Sequence, residues 1–378
     1  MTSKWTGNKG EWSELYAAVK IIGDQLIYVA DRNGQKNPNE WMNVFEVIRK
    51  EAAERIVNYR LDPNSTDVVI DVDGKAPVTV SSCHFLKLSG WLFHEILTGK
   101  GASFSIDDRV ENELKNLEIT TLKAKSSDKS DIYLSLDDPR AGIRRNSIGF
   151  SIKSESGKPP TLFNTASASA AEYEVIGMND DLAKDINSIR DAKGHASPKD
   201  RLNAMLSAGC TLSYIGYPFK ANLGCAPFQE NLELINPNLP QLIATVLLDY
   251  FSGKVSGRKI SDICDYLTSV NPLNIFRPSV KYEFMIKNFL YASYCGMTAT
   301  KLWDGRSDVN GGFIRVGKSG DILAFYALES DAFKNYLFEN CFLEFPSTSE
   351  GHGNYGKVEK KNGKYIFKLN FQVRYSVR

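Results

Sequence analysis

The sequence predicts an α/β fold in which a mixed β-sheet is flanked by helices, with an additional helix-rich region in the middle of the chain. Short apolar runs bounded by turn residues, such as 132–136 and 148–152, are typical of neighbouring strands. Apolar residues at helical spacing, as in 11–22 and 239–251, are typical of helices that pack on a sheet. The chain has 378 residues, of which 42% are hydrophobic, so it can bury a large core as about two domains or one elaborated domain.

Periodicity and turn residues assign the elements before the central strands. In chain order we predict a helix, a strand, a second helix, a hairpin that turns at Asp73 and Gly74, and two more helices: 11–22, 26–30, 40–58, 68–80, 85–97 and 107–118. After the central strands, 154–167 combines glycine, two prolines and small hydroxyl residues. This composition predicts a loop without regular structure.

The rest of the chain is predicted to be mainly helical and to end in strands. The expected helices and strands are 181–190, 198–208, 239–251, 261–267, 281–294, a hairpin over 313–326 and a final strand over 364–375. The segment 276–294 mixes aromatic and basic residues, and its spacing favours an amphipathic core helix over a DNA contact. All but one of the alternate residues from Lys364 to Arg374 are polar, which predicts a hydrophilic strand face.

Charge and cysteine usage argue against several classes of protein. The net charge of +1 gives the whole chain no attraction to nucleic acid, although basic runs remain at 140–145 and 357–378. The six cysteines have no CxxC spacing, which indicates free thiols rather than structural zinc. No apolar run is long enough to span a bilayer, and no export signal opens the chain. We therefore expect a cytoplasmic protein.

A candidate catalytic site lies where the two central strands meet. Asp131 opens the first strand, and Ser151 and Lys153 share one face of the second, because side chains in a strand repeat every two residues. An acid and a lysine at one end of a sheet supply an oxygen ligand for Mg²⁺ and a cation for the phosphate or the attacking water. On pattern alone, the same residues are also ordinary polar ends of two strands.

The pattern of Asp131, Ser151 and Lys153 resembles the PD-(D/E)XK nuclease motif, with serine in place of the second acid. Five segments resemble the HpaII-type restriction endonucleases in the same order along the chain: 7–22, 151–167, 303–326, 337–356 and 363–375. The stretch from about 172 to 280 carries no such resemblance.

The resemblance implies a PD-(D/E)XK nuclease core with an additional helix-rich region that clamps DNA. We expect a core with the N-terminal helix and the catalytic strands over 1–175. A helical region, and a possible DNA-binding subdomain, would follow over 176–300. A β-rich segment over 301–378 would pack on the core and contact DNA.

The resemblance also implies the metal ligands. In this family an opening helix with a glycine four residues before a glutamate supplies a further acid, which corresponds to Gly10 and Glu14. Glu14 and Asp131 are therefore expected to bind Mg²⁺ together with the carbonyl oxygen of Ile152. Lys153 is expected to orient or deprotonate the attacking water and to stabilise charge on the phosphate.

Ser151 departs from the family pattern because it replaces a carboxylate. Fewer carboxylates make the site less negative, which leaves open whether one metal ion or two would bind. Glu155 could substitute for the missing acid, and Glu11 competes with Glu14 on the opening helix.

The residues expected to contact DNA lie in the basic turn, in the loop after Lys153 and in the final strand: Arg144, Arg145, Lys158, Thr161, Asn164, Ser167, Gln372 and Arg374. The resemblance implies hydrolysis of double-stranded DNA at a short palindromic site, with CCGG as the implied target, leaving 5′-phosphates. A palindrome favours a homodimer. A companion methyltransferase would protect the DNA of the bacterial host, and no membrane partner is expected.

Two other interpretations stay open. A non-catalytic DNA-binding protein on a decayed nuclease fold would fit Ser151 and the small net charge, and a test for Mg²⁺-dependent cleavage would distinguish it. In an unrelated cytosolic α/β enzyme, Asp131 and Lys153 would be structural. Failure to bind DNA at low salt, where phosphate contacts are strongest, would support that interpretation.

Overall fold

A computed structural model of the protein describes residues 4–31, 35–51, 55–123, 130–139, 142–156, 160–306, 311–326, 330–346, 348 and 355–375. The chain forms two compact units: unit 1 contains Met1–Pro160 and Ser307–Tyr336, and unit 2 contains Thr161–Arg306 and Leu337–Arg378. This division differs from the predicted boundaries after 175 and 300. The strand Lys364–Leu369, in the predicted third region, pairs in unit 2 with the strand Ala171–Ile176, which lies almost entirely in the predicted first region. The predicted boundaries therefore divide strands of one sheet between regions.

The helices are α1 (Lys9–Asp24), α2 (Ser82–Thr98), α3 (Asp108–Asn116), α4 (Asp180–Ser188), α5 (Pro198–Ser207), α6 (Pro227–Ile235), α7 (Leu239–Phe251), α8 (Ile260–Val270), α9 (Pro278–Tyr294) and α10 (Ser330–Asn340). The strands are β1 (Leu26–Ala30), β2 (Lys36–Lys50), β3 (Ile56–Leu61), β4 (Asp67–Val72), β5 (Val78–Ser81), β6 (Ile132–Asp138), β7 (Ile143–Ser154), β8 (Thr161–Phe163), β9 (Ala171–Ile176), β10 (Thr211–Gly216), β11 (Gly312–Val316), β12 (Ile322–Tyr326), β13 (Cys341–Glu344), β14 (Val358–Lys361), β15 (Lys364–Leu369) and β16 (Gln372–Tyr375). The helices and strands together confirm the predicted α/β class. In the described parts of the chain, none of the helices could cross a membrane.

Unit 1 is built on a nine-stranded mixed sheet with the order β1-β12-β11-β7-β6-β2-β3-β4-β5. The β1–β12 and β11–β7 pairs are parallel, and the other neighbouring pairs are antiparallel. The 15-residue strand β2 also pairs with β1, so six of the strands form a closed cycle of pairings. The apolar faces of α1 and α2 pack into the core of this sheet.

Helix α1 begins at a capping box. The Asn8 side chain accepts a hydrogen bond from the Glu11 N–H at 3.0 Å, and the Glu11 carboxylate accepts one from the Asn8 N–H at 2.9 Å. The helix packs closely on α2 because Gly23 has no side chain; a Cβ atom there would lie 2.8 Å from the backbone nitrogen of Leu86. The predicted helix over 11–22 is confirmed, with a start two residues earlier at the cap.

The predicted helix over 40–58 is wrong, because this stretch forms β2 and β3. The pairing of β2 with β6 shifts register between Val44 and Glu46. A bulge moves the buried face by one position, so that the buried residues Val44 and Val47 lie three apart instead of two or four. A spacing of three imitates the periodicity of a helix, which explains the error.

Two further predictions of local structure need correction. The segment 154–167 is not irregular throughout, since it contains β8. The predicted final strand is two strands, β15 and β16, which belong to different sheets. The break falls at Asn370, whose side chain is buried, accepts a hydrogen bond from the Ser169 hydroxyl and donates one to the Ala166 carbonyl.

Unit 2 combines the four-stranded sheet β10-β9-β15-β14 and the three-stranded sheet β13-β16-β8 with helices α4 to α9. Five of these helices were predicted within three residues at each end, whereas α6, β9 and β10 were missed. Phe163 is central to the core of this unit. Its ring lies 5.2 Å from that of Phe228, 5.6 Å from that of Phe289 and 5.4 Å from that of Phe371.

A buried ion-pair network joins β2 to the segment after α3. The fully buried Glu51 accepts hydrogen bonds from the Arg49 Nε at 3.1 Å, from Arg55 at 2.7 Å and from the Thr120 hydroxyl at 2.5 Å. Arg49 also donates to the carbonyl oxygens of Thr121 at 2.5 Å and Leu122 at 2.9 Å. The network therefore holds 120–122 against the sheet.

We expect Glu51→Gln to lower the free energy of unfolding of unit 1 by about 3–5 kcal/mol, because it leaves the buried Arg49 charge uncompensated. The matched control is Asp108→Asn, which removes an exposed ion pair with Lys4 and should change the free energy of unfolding far less. Urea denaturation of the full chain measures both. Equal losses in the two variants would contradict this account of the network.

Candidate active site

The register of β6 and β7 places the predicted site residues together. Ile132 lies opposite Phe150 in this antiparallel pair, and the Asp131 N–H donates to the Phe150 carbonyl at 2.9 Å. The neighbouring positions of the two central strands are therefore confirmed. Asp131 lies at the start of β6, beside the end of β7 that carries Ser151 and Lys153.

The Asp131 carboxylate is fixed by β7. Its Oδ2 atom accepts a hydrogen bond from the backbone N–H of Ile152 at 2.6 Å and from the Ser151 hydroxyl at 3.1 Å. Among the described residues, the Oδ1 atom has no hydrogen-bond donor. The N–H and C=O groups of a strand residue point toward the same neighbour, so the Ile152 carbonyl is directed to the Asp131 side of β7.

Helix α1 brings Glu14 to this end of the sheet. The Ser154 hydroxyl, next to Lys153 in β7, donates to the Ser13 hydroxyl at 2.8 Å, and Ser13 donates to the Lys9 carbonyl at 2.7 Å. Ser13 is fully buried. This chain of hydrogen bonds fixes the turn of α1 that carries Glu14 against the strand that carries Lys153.

The electrostatics of Glu14 show which charges surround it. The pKa of Glu14 is raised to about 7, first by burial and then by the negative charges of Asp131 and Glu11, while the positive charges of Lys153 and Arg49 oppose the shift. The carboxyl groups of Glu14 and Asp131 are thus close enough to repel each other. A cation bound between them would relieve this repulsion.

The two acids left as alternatives have other partners. The Glu11 carboxylate completes the capping box of α1 and pairs with Lys123 at 2.7 Å. Glu155 lies 3.8 Å from Arg315 on β11, and burial raises its pKa while Arg315 opposes the shift. Neither acid faces Asp131 in the way that Glu14 does.

Lys153 lines an open cleft in unit 1. The cleft has a volume of about 540 Å³, and its walls come from the start of α1, the segment before α3 and the end of β7: Asn8, Lys9, Gly10, Glu14, Gly101, Ala102, Ile152, Lys153, Ser154 and Pro160. Within the described part of the chain, Lys153 forms no hydrogen bond or ion pair. Its ammonium group is therefore available to a ligand in the cleft.

Among the described residues, no cluster of three or more histidine, cysteine, aspartate or glutamate side chains could hold a metal ion. The donor set of the site is smaller: two carboxylates, from Glu14 and Asp131, and the main-chain carbonyl of Ile152. These are hard oxygen ligands.

The two arginines predicted to contact DNA lie at the opposite end of β7 from Lys153. Arg144 and Arg145 are exposed in the first half of β7, where Arg144 stacks 4.4 Å above the Phe45 ring and lies opposite Asp137. Eight residues of strand separate Arg145 from Lys153, which is about 26 Å at 3.3 Å per residue. The expectation that the basic turn lies beside the site is therefore corrected.

The other predicted DNA contacts lie in unit 2, except Lys158, which falls outside the described residues. Asn164 and Ser167 are exposed, and Thr161 lies opposite Arg374 in the β8–β16 pair. Gln372 and Arg374 both bond the Glu344 carboxylate.

The predicted hydrophilic strand face is partly neutralised by acids. Lys364 pairs with Glu174 at 2.7 Å, and Lys368 lies 3.3 Å from Glu172.

Comparison with known proteins identifies the family. The model of the HpaII restriction endonuclease family matches residues 8–375. The chain belongs to this family. It is also 31% identical over 379 residues to the Type II restriction enzyme HpaII of Haemophilus parainfluenzae, an alignment that covers 99% of this chain and 100% of that enzyme. No solved structure matches the chain.

Membership of the HpaII restriction endonuclease family confirms the predicted class. The protein is a Type II restriction endonuclease, a site-specific deoxyribonuclease that acts on DNA. The resemblance that predicted this class rested on the ends of the chain and on the central strands, whereas the family match also covers 172–280.

Sequence analysis missed two contributors to the site of this restriction endonuclease. Arg49 was assigned to a helix, although it is a buried strand residue whose charge acts on Glu14. Ser13 was overlooked because a serine inside a helix carries no pattern of its own. Its only signal is its position beside Glu14 on the apolar side of α1, where a polar residue must find a buried partner.

We expect Glu14→Gln to stabilise the metal-free protein at pH 8 but not at pH 5. Between about pH 4.5 and 7, the unfolded chain loses the Glu14 proton while the folded chain keeps it, so wild-type stability falls as the pH rises. Glutamine has no proton to lose, and its advantage should grow across this interval. Thermal denaturation in chelator at both pH values measures the difference.

Glu11→Gln is the matched control on the same helix. It keeps an oxygen that can accept from the Asn8 N–H but removes the ion pair with Lys123 and a negative charge at the start of the helix, so it should lower the melting temperature slightly at pH 8. A Glu14→Gln effect that does not change with pH would contradict the assigned pKa.

Proposed function

We propose that this restriction endonuclease hydrolyses double-stranded DNA with Mg²⁺ at the cleft lined by Glu14 and Lys153, leaving 5′-phosphates. The observation that carries the proposal is the meeting of two carboxylates with Lys153, which has no ion-pair partner among the described residues, at the end of β7. Burial and then the negative charge of Asp131 raise the pKa of Glu14, and the positive charge of Lys153 opposes the shift. A phosphodiester and a divalent cation supply the complementary charges.

The residues present fit Mg²⁺. This ion is usually held by one or two carboxylates, with waters and substrate phosphate oxygens as the remaining ligands. Asp131 would bind through Oδ1, since Oδ2 is occupied by Ile152 and Ser151, and Glu14 and the Ile152 carbonyl would complete the protein's share. When bound there, Mg²⁺ supplies charge neutralisation on the phosphate and a lowered pKa for a coordinated water.

The chain's own groups account for orientation and charge. Lys153 would orient or deprotonate the attacking water and stabilise the negative charge that develops on the phosphate. Ser151 donates to Asp131 instead of binding metal, so it keeps the carboxylate in one orientation. Ser13 and Ser154 align Glu14 with Lys153, and small misplacements of such groups cost much of the rate.

The proposed activity also implies a nuclease core, a recognition sequence and an oligomeric state. We infer a PD-(D/E)XK core in unit 1 and a helix-rich region that clamps DNA. The recognition site would be a short palindrome, and the resemblance to HpaII-type enzymes implies CCGG as the first sequence to test. A palindromic site favours a homodimer, and a companion methyltransferase would protect the DNA of a bacterial cytoplasm.

The decisive experiment is incubation of the purified protein with unmethylated bacteriophage DNA, with Mg²⁺ and with chelator. We expect discrete fragments only with Mg²⁺, and sequencing of their ends gives the target, the cut position and the terminal phosphate. DNA that stays intact in both Mg²⁺ and Mn²⁺ would support the alternative of a non-catalytic DNA-binding protein.

Asp131→Ala and Lys153→Ala should each lower the cleavage rate by roughly 10²–10⁴-fold while DNA binding is retained, because they remove a metal ligand and the cation at the phosphate. The matched control is Glu155→Gln, since Glu155 directly follows β7 but pairs with Arg315. It should cut at near the wild-type rate. Cleavage by either alanine variant at that rate would remove its residue from the mechanism.

A further inference from the structure

Helix α9 has a buried face and a second apolar face that is exposed. Tyr282, Met285 and Phe289 are buried in unit 2. Phe276, Val280 and Phe284, spaced by four residues, remain 81%, 50% and 59% exposed. The predicted core-facing side of the helix is therefore present, but the outer side is apolar as well, whereas an amphipathic helix would be polar there.

The segment before α9 presents Phe276 from a well-ordered loop. The Tyr282 hydroxyl donates to the Asn271 side chain at 2.9 Å, and the Leu273 N–H donates to the same hydroxyl at 3.1 Å. Asn271 bonds both the N–H and the carbonyl of Ile275, each at 3.1 Å. These hydrogen bonds hold the loop against the buried face of α9. They therefore fix the backbone next to the exposed Phe276.

The backbone of this loop is unusual. Asn271, Asn274 and Arg277 have φ values of 45°, 49° and 56°, a left-handed region that residues other than glycine rarely adopt. The three residues lie within seven positions of a loop that is hydrogen-bonded through Asn271 and Tyr282. Strained backbone of this kind is commonly found at ligand-contacting sites.

The charged side chains of the segment 266–282 are all basic. Arg277 and Lys281 are exposed, and within the described residues neither forms an ion pair. No acidic residue occurs from 266 to 282, and the next one, Glu283, pairs with Lys287. By contrast, Lys360 and Lys364 in the same unit each pair with an acid.

We infer that Phe276, Val280 and Phe284, with Arg277 and Lys281, form a contact surface for duplex DNA. The two cations would contact phosphates, and the Phe276 ring would make an apolar contact with sugars or base edges in the adjacent groove. A second copy of the chain fits this surface less well, since its Arg277 and Lys281 would meet their own counterparts across a two-fold axis. The inference rests on the proposed function, because it assigns part of the DNA contact of the same enzyme.

The test compares Phe276→Ala and Lys281→Gln with the wild-type full chain in DNA binding, measured by fluorescence anisotropy in chelator. Phe276→Ala should weaken binding by roughly tenfold. Lys281→Gln should reduce the slope of log affinity against log salt concentration by about one. Phe219→Ala, which removes another exposed phenylalanine of unit 2, is the control and should bind like the wild type.

The outcomes separate this inference from the proposed function. If the wild type cuts DNA but both variants bind it with unchanged affinity and salt dependence, the contact surface is refuted and the function stands. If Phe276→Ala converts a dimer to a monomer in sedimentation, the surface is an interface between copies and the inference is overturned. Weaker binding with unchanged oligomeric state supports it, whatever the cleavage assay reports for Asp131 and Lys153.

Discussion

The candidate site depends on the hydrogen bonds that fix the Asp131 carboxylate to the end of β7. A backbone N–H at 2.6 Å and a hydroxyl at 3.1 Å hold one carboxylate oxygen, and the other has no donor among the described residues. Bonds to an ionised acceptor are strong, and the main-chain donor cannot rotate. The orientation of the acid is thus set by the sheet, through the register of β6 against β7. A shift of one residue in the register of β7 would turn Ser151 and Lys153 to the opposite face of the sheet, away from Asp131.

The second support of the site is a set of buried polar groups behind it. Glu51 forms an ion pair with Arg49, and Arg49 donates hydrogen bonds to the carbonyls of Thr121 and Leu122. The positive charge of Arg49 also lowers the pKa of Glu14. Buried ion pairs contribute little net stability, but removal of one partner is costly. Such a network fixes positions more than it strengthens the fold. Together with the Ser13–Ser154 hydrogen bond, it explains how an acid on a helix and a lysine on a strand are kept in constant relation.

The sequence was a good guide where local chemistry decides the structure. The central strands and helix α5, which begins after the cap residue Ser197, follow from neighbours in the chain, and the positions of these elements were predicted. The failures have tertiary causes. A bulge in β2 gave strand residues a helical spacing, and the buried bonds of Asn370 ended a strand that its alternation would have continued. The choice between Glu11 and Glu14 also lay beyond local pattern, since only the positions of Lys123 and Asp131 distinguish them.

The serine at position 151 changes the charge balance of the site rather than its geometry. Its hydroxyl lies 3.1 Å from Oδ2 of Asp131. A carboxylate at that distance would repel Asp131, and the two could not both be ionised without a bound cation. With serine, the neighbour is an uncharged hydrogen-bond donor to the Asp131 carboxylate. The same substitution removes a ligand that a second metal ion would need, and Glu155 is engaged by Arg315. We therefore expect the site to depend on a single strongly bound ion, with Lys153 supplying the positive charge that a second ion would otherwise bring to the phosphate.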